Sequence, residues 1–246
     1  MKFSTLTKAV AGGVALSAVM AGAAFADAAL VYDGGGKFDK SFNEAAYNGA
    51  EMFKAEGGAY QDLEISGDAM REQAIRQFAS RGNNPIVMPG FSWETALKVV
   101  APEFPDTKFT IIDTVVDLPN VQSVVFKEQE GSYLVGVLAA MKSESGKIGV
   151  DSNQNHLHPG SVLTSMIKRV DVATYNAMKG VEDGTWAPGT IVLGLAEDGV
   201  GAAFDDNNAS LVTDEMKAAV EKATADIVSG AVTVHDFRSD KACPSL

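Results

Sequence analysis

The chain has 246 residues, 46% of them apolar and 21% charged, and its 32 acids outnumber its 20 lysines and arginines to give a formal charge of −12. That composition suits a globular chain able to bury a core. The acidic balance argues against nucleic acid and anionic lipid surfaces as partners, because neutralising phosphate takes a surplus of lysine and arginine.

Residues 1–26 read as a secretory signal: Lys2 and Lys8 form a basic start, Ala9 to Phe25 is apolar, and Ala24-Phe25-Ala26 puts small residues at the cleavage positions. Gly12, Gly13, Ser17 and Gly22 interrupt the apolar stretch, which falls short of the roughly 20 residues that a membrane-spanning helix needs. Cleavage would leave Asp27 first, remove two lysines and no acid, and so move the charge from −12 to −14. With no cysteine following the cut, a soluble periplasmic protein without a lipid anchor is expected. Cys243 is the single cysteine; it is either a tolerated tail residue or one that has lost its partner.

From Ala28 onward, β-rich runs alternate with helical patterns, the signature of a parallel sheet covered by helices. Ala29 to Tyr32 is the first strand, ending at Asp33, and Gly34-Gly35-Gly36 follows. Ser41-Phe42-Asn43-Glu44 reads as a capping box opening a helix with Ala46, Gly49, Ala50 and Phe53 on one face. A strand over 61–65 leads to a helix from Ala69 to Ser80, and Ile86 to Met88 is a buried strand. Pro89-Gly90-Phe91-Ser92 enters a helix with Ala96, Leu97 and Val100. Strands follow over Lys108 to Ile112, ending at Asp113, and over Val121 to Phe126; the next helix carries Tyr133, Leu134, Val137, Leu138 and Met141 at helical spacing. Gly146 to Val150 is a strand ending at Asp151, a long helix is expected from Ser161 to Lys179, and Thr190 to Leu195 is a strand before a turn over 196–199. Thr213 caps a last helix with Met216, Ala219, Val220, Ala223 and Ile227 on one stripe, and Val232 to Phe237 is expected to add a strand.

Three strands thus end in aspartate, at Asp33, Asp113 and Asp151. In open α/β sheets ligands bind beyond the carboxyl ends of the strands, so the three acids can converge on one site, although aspartate after a strand is also an ordinary turn former. The loop from Gly34 to Ser41 is no phosphate loop: it lacks the Gly-Lys-Ser/Thr adjacency and the Gly-x-Gly-x-x-Gly pattern. A polyhydroxy ligand with a flat ring fits better, since carboxylates accept hydrogen bonds from diols and ring N–H groups while Phe42 offers a stacking face. Phe91 and Trp93 either line the cleft or pack the core. No Gly-x-Ser-x-Gly elbow and no internal cysteine suggest an enzyme. His156-Leu157-His158 lacks a third ligand at suitable spacing and reads as a solvated loop, so neither metal nor cofactor is expected.

The run Val31-Tyr32-Asp33-Gly34-Gly35-Gly36-Lys37-Phe38-Asp39-Lys40-Ser41-Phe42-Asn43, with its Asp-Lys-Ser-Phe-Asn core, resembles the start of the basic membrane protein family, purine nucleoside receptors of bacterial uptake systems. Phe109 to Asp113, Gly149 to Gln154 and Leu163 to Asp171 extend the resemblance over the mature chain. It implies the two-lobed periplasmic binding protein (type I) fold, α/β with parallel sheets flanked by helices, in which a ligand held between the lobes is presented to the membrane permease of an ABC transporter. It further implies that Phe42 stacks on the purine, that Asp33 and Asp113 bond the base edge, and that Asp151 and Lys168 hold the ribose hydroxyls, with Asn43, Gly90, Phe91 and Trp93 as further cleft-lining candidates.

One departure is large. Gly146-Lys147-Ile148-Gly149 runs directly into Val150-Asp151-Ser152, where similar family members carry several strand–helix units between those motifs, including a second stacking aromatic. The expected organisation is a signal over 1–26, a first lobe over 27–145, a truncated second lobe over 146–189, and a return segment over 190–246 packing mainly on the first lobe. The expected function is a monomeric nucleoside receptor. The alternatives are a sensor subunit, a degenerate non-binding paralogue and an acid-cluster hydrolase.

Overall fold

The computed structural model describes residues 26–142 and 147–242. The signal segment up to Phe25, Gly146 and Cys243 lie outside the described residues, so the expectations attached to them are not addressed by it.

Six strands form the larger sheet: β1 (Ala28–Tyr32), β2 (Tyr60–Glu64), β3 (Ile86–Pro89), β4 (Phe109–Ile112), β5 (Val121–Phe126) and β8 (Gly189–Leu193). Their order is β2-β1-β3-β4-β5-β8 and every pairing is parallel. A parallel sheet is covered on both faces, which is why β1, β3 and β4 are apolar almost throughout and fully buried. The pleat divides β1 between two cores. Ala29 and Val31 face α2 (Arg71–Ser80) and α3 (Glu94–Val100) through Ile75, Phe78, Leu97 and Val100. Ala28, Leu30 and Tyr32 face α1 (Phe42–Ala55) and α5 (Val170–Glu182) through Ala46, Ala50, Ala173 and Met178.

A smaller sheet has the order β6-β7-β9, from β6 (Lys147–Asp151), β7 (Val162–Lys168) and β9 (Val200–Ala202); β6 pairs with β7 in parallel and β9 runs antiparallel to β7. Its core joins Leu163 to Leu134 and Leu138 of α4 (Glu128–Met141) and to Met216, Val220 and Ile227 of α6 (Asp214–Val228). Polar loops also close on β7: Ser165 Oγ lies 2.9 Å from Asn155 Oδ1, and Asn208 Nδ2 donates to the carbonyls of Leu163 and Ala203 at 2.9 and 3.0 Å. With the Thr164 hydroxyl donating to the Ala203 carbonyl at 2.8 Å, these bonds give buried Thr164, Ser165 and Asn208 their partners.

Several expectations are corrected. The helix expected from Ser161 to Lys179 is the strand β7 followed at once by α5. Residues 232–237 form no strand; Val232 and Val234 pack on the smaller core, and a short helix, α7 (Phe237–Asp240), follows. The return segment divides between the sheets: β8 extends the larger one, while β9 and α6 belong with the smaller. The cap of α1 is shifted as well. Asp39, not Ser41, takes the free N–H groups, those of Ser41, Asn43 and Glu44, at 2.8–3.2 Å, and Glu44 reaches back to the Lys40 N–H at 3.1 Å. Thr213 does cap α6, accepting from the Met216 N–H at 3.2 Å.

Candidate functional site

The chain passes between the sheets at three places: from β5 into α4, from β7 into α5, and from β8 into β9. Lys168, the last residue of β7, stands at one of these crossings with its side chain only 8% exposed. Its Nζ is 2.7 Å from Asp113 Oδ2, 3.6 Å from Asp151 Oδ1 and 3.5 Å from Glu128 Oε1. The same ammonium lies 4.9 Å from the centre of the Phe42 ring and 5.5 Å from that of Phe126. Of the expected site residues, Phe42, Asp113, Asp151 and Lys168 therefore meet around one ammonium group.

Asp113 follows β4 and Asp151 ends β6, both in the left-handed backbone region with φ of 75° and 70°, so each turns its side chain out of the strand direction. Burial works against the Lys168 charge, but Asp113, Asp151 and Glu128 outweigh it and hold the ammonium above its ordinary pKa. Burial pushes the Asp113 carboxyl upward, more strongly than Lys168 pulls it down. Asp113 Oδ1 is buried without a hydrogen-bond partner among the described residues.

Asp33 stands apart from this cluster, at the end of β1. Its Oδ1 accepts from the Gly34 N–H at 2.7 Å and from Arg71 Nη2 at 2.8 Å. Burial alone would raise its pKa, but the Gly34 amide, the Ser92 hydroxyl and the Arg71 guanidinium hold it below the ordinary value. Gly90, at the end of β3 with φ of 111°, lies so close that a Cβ there would strike the Asp33 carboxylate. The Gly90 N–H donates to the Ile112 carbonyl at 3.0 Å, which places Asp33, Gly90 and Asp113 in sequence along the carboxyl edge of the larger sheet.

The remaining candidates take other places. Asn43 is buried; its Oδ1 accepts from the Asp33 N–H at 3.2 Å and its Nδ2 donates to the carbonyls of Asp33 and Gly36, so it fixes the glycine loop. Trp93 has no exposed surface and belongs to the core, where Arg71 lies 4.6 Å over its ring, whereas Phe91 is 70% exposed. His156 and His158 are both exposed.

Sequence reasoning missed three charged groups. Glu128 stands two residues past β5, as the first residue of α4, so an acid near a strand end was a signal that was available. Arg238, on α7, joins Glu128 Oε2 at 3.0 Å and the Phe126 carbonyl at 2.9 Å. Arg71 reaches Asp33 across 38 positions of sequence. Neither arginine announces itself by spacing. A cavity of about 340 Å³ borders the cluster, lined among others by Lys40, Asn48, Asp151, Lys168 and Arg169. No helix of the described residues is long and apolar enough to cross a membrane.

The sequence profile of the family described as "ABC transporter substrate-binding protein PnrA-like" matches this chain over residues 25–150 and 146–236. An uncharacterized lipoprotein of Pyrococcus horikoshii is 27% identical over 275 aligned residues, which take in 70% of this chain and 67% of that protein. Basic membrane protein A of Borreliella burgdorferi is 35% identical over 115 residues, 45% of this chain and 34% of that protein. Thus the chain spans about two thirds of the first relative's length and about a third of the second's. Among solved structures, a solute-binding protein of an ABC transporter system from Aeropyrum pernix K1 superposes with a TM-score of 0.73 at 20% identity, over 87% of this chain and 95% of that one. At that identity the likeness is one of fold.

Proposed function

The chain belongs to the PnrA-like family of ABC transporter substrate-binding proteins, and from that premise we propose that it is a periplasmic, monomeric receptor whose ligand is a nucleoside, most suitably a purine one. The family binds solutes for transport and is not a family of enzymes. One observation carries the nucleoside reading: Phe42, Asp113 and Asp151 gather on Lys168 where the chain crosses between its two sheets. An aromatic face beside hydrogen-bonding carboxylates and an ammonium suits a flat base joined to a diol. Asp33 and Asp113 would bond the base edge, and Asp151 with Lys168 the ribose hydroxyls.

The charge around the site argues for a neutral ligand. Lys168 already faces Asp113, Asp151 and Glu128, so a phosphate would add negative charge to a surplus of carboxylates. Titration calorimetry on the mature protein with inosine and inosine monophosphate tests this. Inosine should bind and be recovered unchanged, with the monophosphate at least tenfold weaker. Equal binding of the two would contradict the charge argument, and release of free base would show a hydrolase.

A second reading, a paralogue that binds nothing, draws on Lys168 lying over the ring face of Phe42, where a base would stack. A thermal shift with inosine supports the receptor. No shift with any nucleoside, and no small molecule carried through native purification by mass spectrometry, supports the paralogue.

A further inference from the structure

Arg71 is the first residue of α2, yet its side chain is only 9% exposed. It lies over the Trp93 ring at 4.6 Å, and its Nη2 reaches Asp33 Oδ1 and Asp68 Oδ1, each at 2.8 Å. A guanidinium that is packed on an indole and bonded at its end has little freedom. Asp33 is therefore fixed in orientation. Its Oδ1 is taken by Arg71 and by the Gly34 N–H. Its Oδ2 lies over Gly90, where the absence of a Cβ leaves room for it, and the Ser92 hydroxyl further favours the charged form of the carboxylate. A carboxylate so held accepts hydrogen bonds and offers none.

We propose that Arg71 sets which base edge the site takes: by holding Asp33 as an acceptor-only carboxylate, it selects a ligand presenting a ring N–H, the lactam edge of a 6-oxopurine, over the adenine edge. The inference rests on the nucleoside reading above and deepens it. Hypoxanthine and guanine carry a proton on the ring nitrogen beside the carbonyl, and it points along the edge that an acceptor can meet. Adenine has a bare nitrogen at that place, whose lone pair faces a carboxylate unfavourably. Only a protonated carboxyl could donate to it, and the Arg71 contact, with the downward displacement of the Asp33 pKa, disfavours that form.

The test compares the wild type with Arg71→Gln and with Arg71→Lys, which keeps the cation but not the planar fork. Calorimetry with inosine, guanosine and adenosine reads the selectivity, and the carbon signal of the Asp33 carboxyl, followed by NMR through the acid range, reads the hold without any ligand. The wild type should favour inosine and guanosine over adenosine by about tenfold, the effect of one hydrogen bond to a charged group. In Arg71→Gln the Asp33 signal should titrate at higher pH and the preference should shrink, while Arg71→Lys restores part of both. Should Arg71→Gln fail to fold, Arg71→Lys alone decides, through a smaller displacement in the same direction. Equal affinities for inosine and adenosine in the wild type overturn the inference, as does an Asp33 titration identical in every variant. Absence of binding by any nucleoside overturns the nucleoside reading and the selectivity with it, whereas the Asp33 titration still reports whether Arg71 holds the carboxylate.

Discussion

Phe42 is the residue on which the reading turns, because its half-buried ring borders both the core beneath α1 and the Lys168 ammonium. If a base stacks there, Phe42→Ala should weaken inosine binding by about 1–3 kcal/mol, the range of base–aromatic stacking, with the melting temperature little changed. A fall in melting temperature with no selective loss of binding would assign the ring to the core. Asp33 supplies a prediction in pH. Its folded pKa lies below the ordinary value, so the stability it contributes is complete above that ordinary value and is lost as pH falls through the lower, folded one. Melting curves taken through the acid range should therefore fall less steeply for Asp33→Asn than for the wild type; parallel curves would mean that the Arg71 contact adds nothing to stability. Asp113 and Asp151 could be read from the sequence because a strand-end aspartate is visible in a linear pattern. Arg71 could not, since nothing in the pattern of α2 tells which strand end a helix residue will meet across the sheet.

Among the elements, α1 and α5 show how one atom can decide a packing. A Cβ on Gly49 would strike the Asp171 carbonyl of α5. On an exposed helix face, alanine for glycine gains roughly 0.5–1 kcal/mol through propensity. Here overpacking, at about 1–3 kcal/mol, should win, and Gly49→Ala should lower the denaturation midpoint; a rise would mean that the two helices part at no cost. The strands of the larger sheet were legible because burial on both faces makes them short apolar runs bounded by turn residues. By contrast, β7 was not. Thr164 and Ser165 interrupt its apolar run, their partners Ala203 and Asn155 lie 39 and 10 positions away, and only Arg169 separates it from α5, with no glycine or proline to mark the change of period. The tail expected as a strand fails for a related reason: Val232 and Val234 bury their side chains against the smaller core without finding a sheet edge.

At the scale of the molecule, the disparity between six strands and three among the described residues is the main fact. The two stretches matched by the family profile share residues 146–150, the stretch where one strand motif runs into another. Of the 275 positions aligned with the Pyrococcus protein, about a hundred have no residue of this chain opposite them, since only 70% of its 246 residues take part. From both observations we infer a second lobe reduced at β6. In that strand Ile148 and Val150 are exposed while Gly149 is buried against Ser165, and open edges with thin cover resist opening poorly. Amide exchange should accordingly be faster over residues 147–168 than in β1, β3 and β4, with α5 protected because it packs on α1. Uniform protection would show the small lobe to be as stable as the large one. The seam between the lobes carries a further consequence. Ser152 Oγ donates to the Ser41 carbonyl at 2.7 Å, Gln154 Nε2 to the Lys40 carbonyl at 3.1 Å, and Ser41 Oγ to Asp151 Oδ2 at 3.2 Å. Each of these bonds joins two groups of the chain itself, so the seam has contacts of its own beside any that a ligand adds. A ligand moves a conformational balance only by the difference in its affinity for the two states, and a seam already fastened leaves little difference for it to make. A permease that recognises the fastened shape would then tell empty receptors from full ones less sharply, and idle copies would compete with loaded ones for the same docking place.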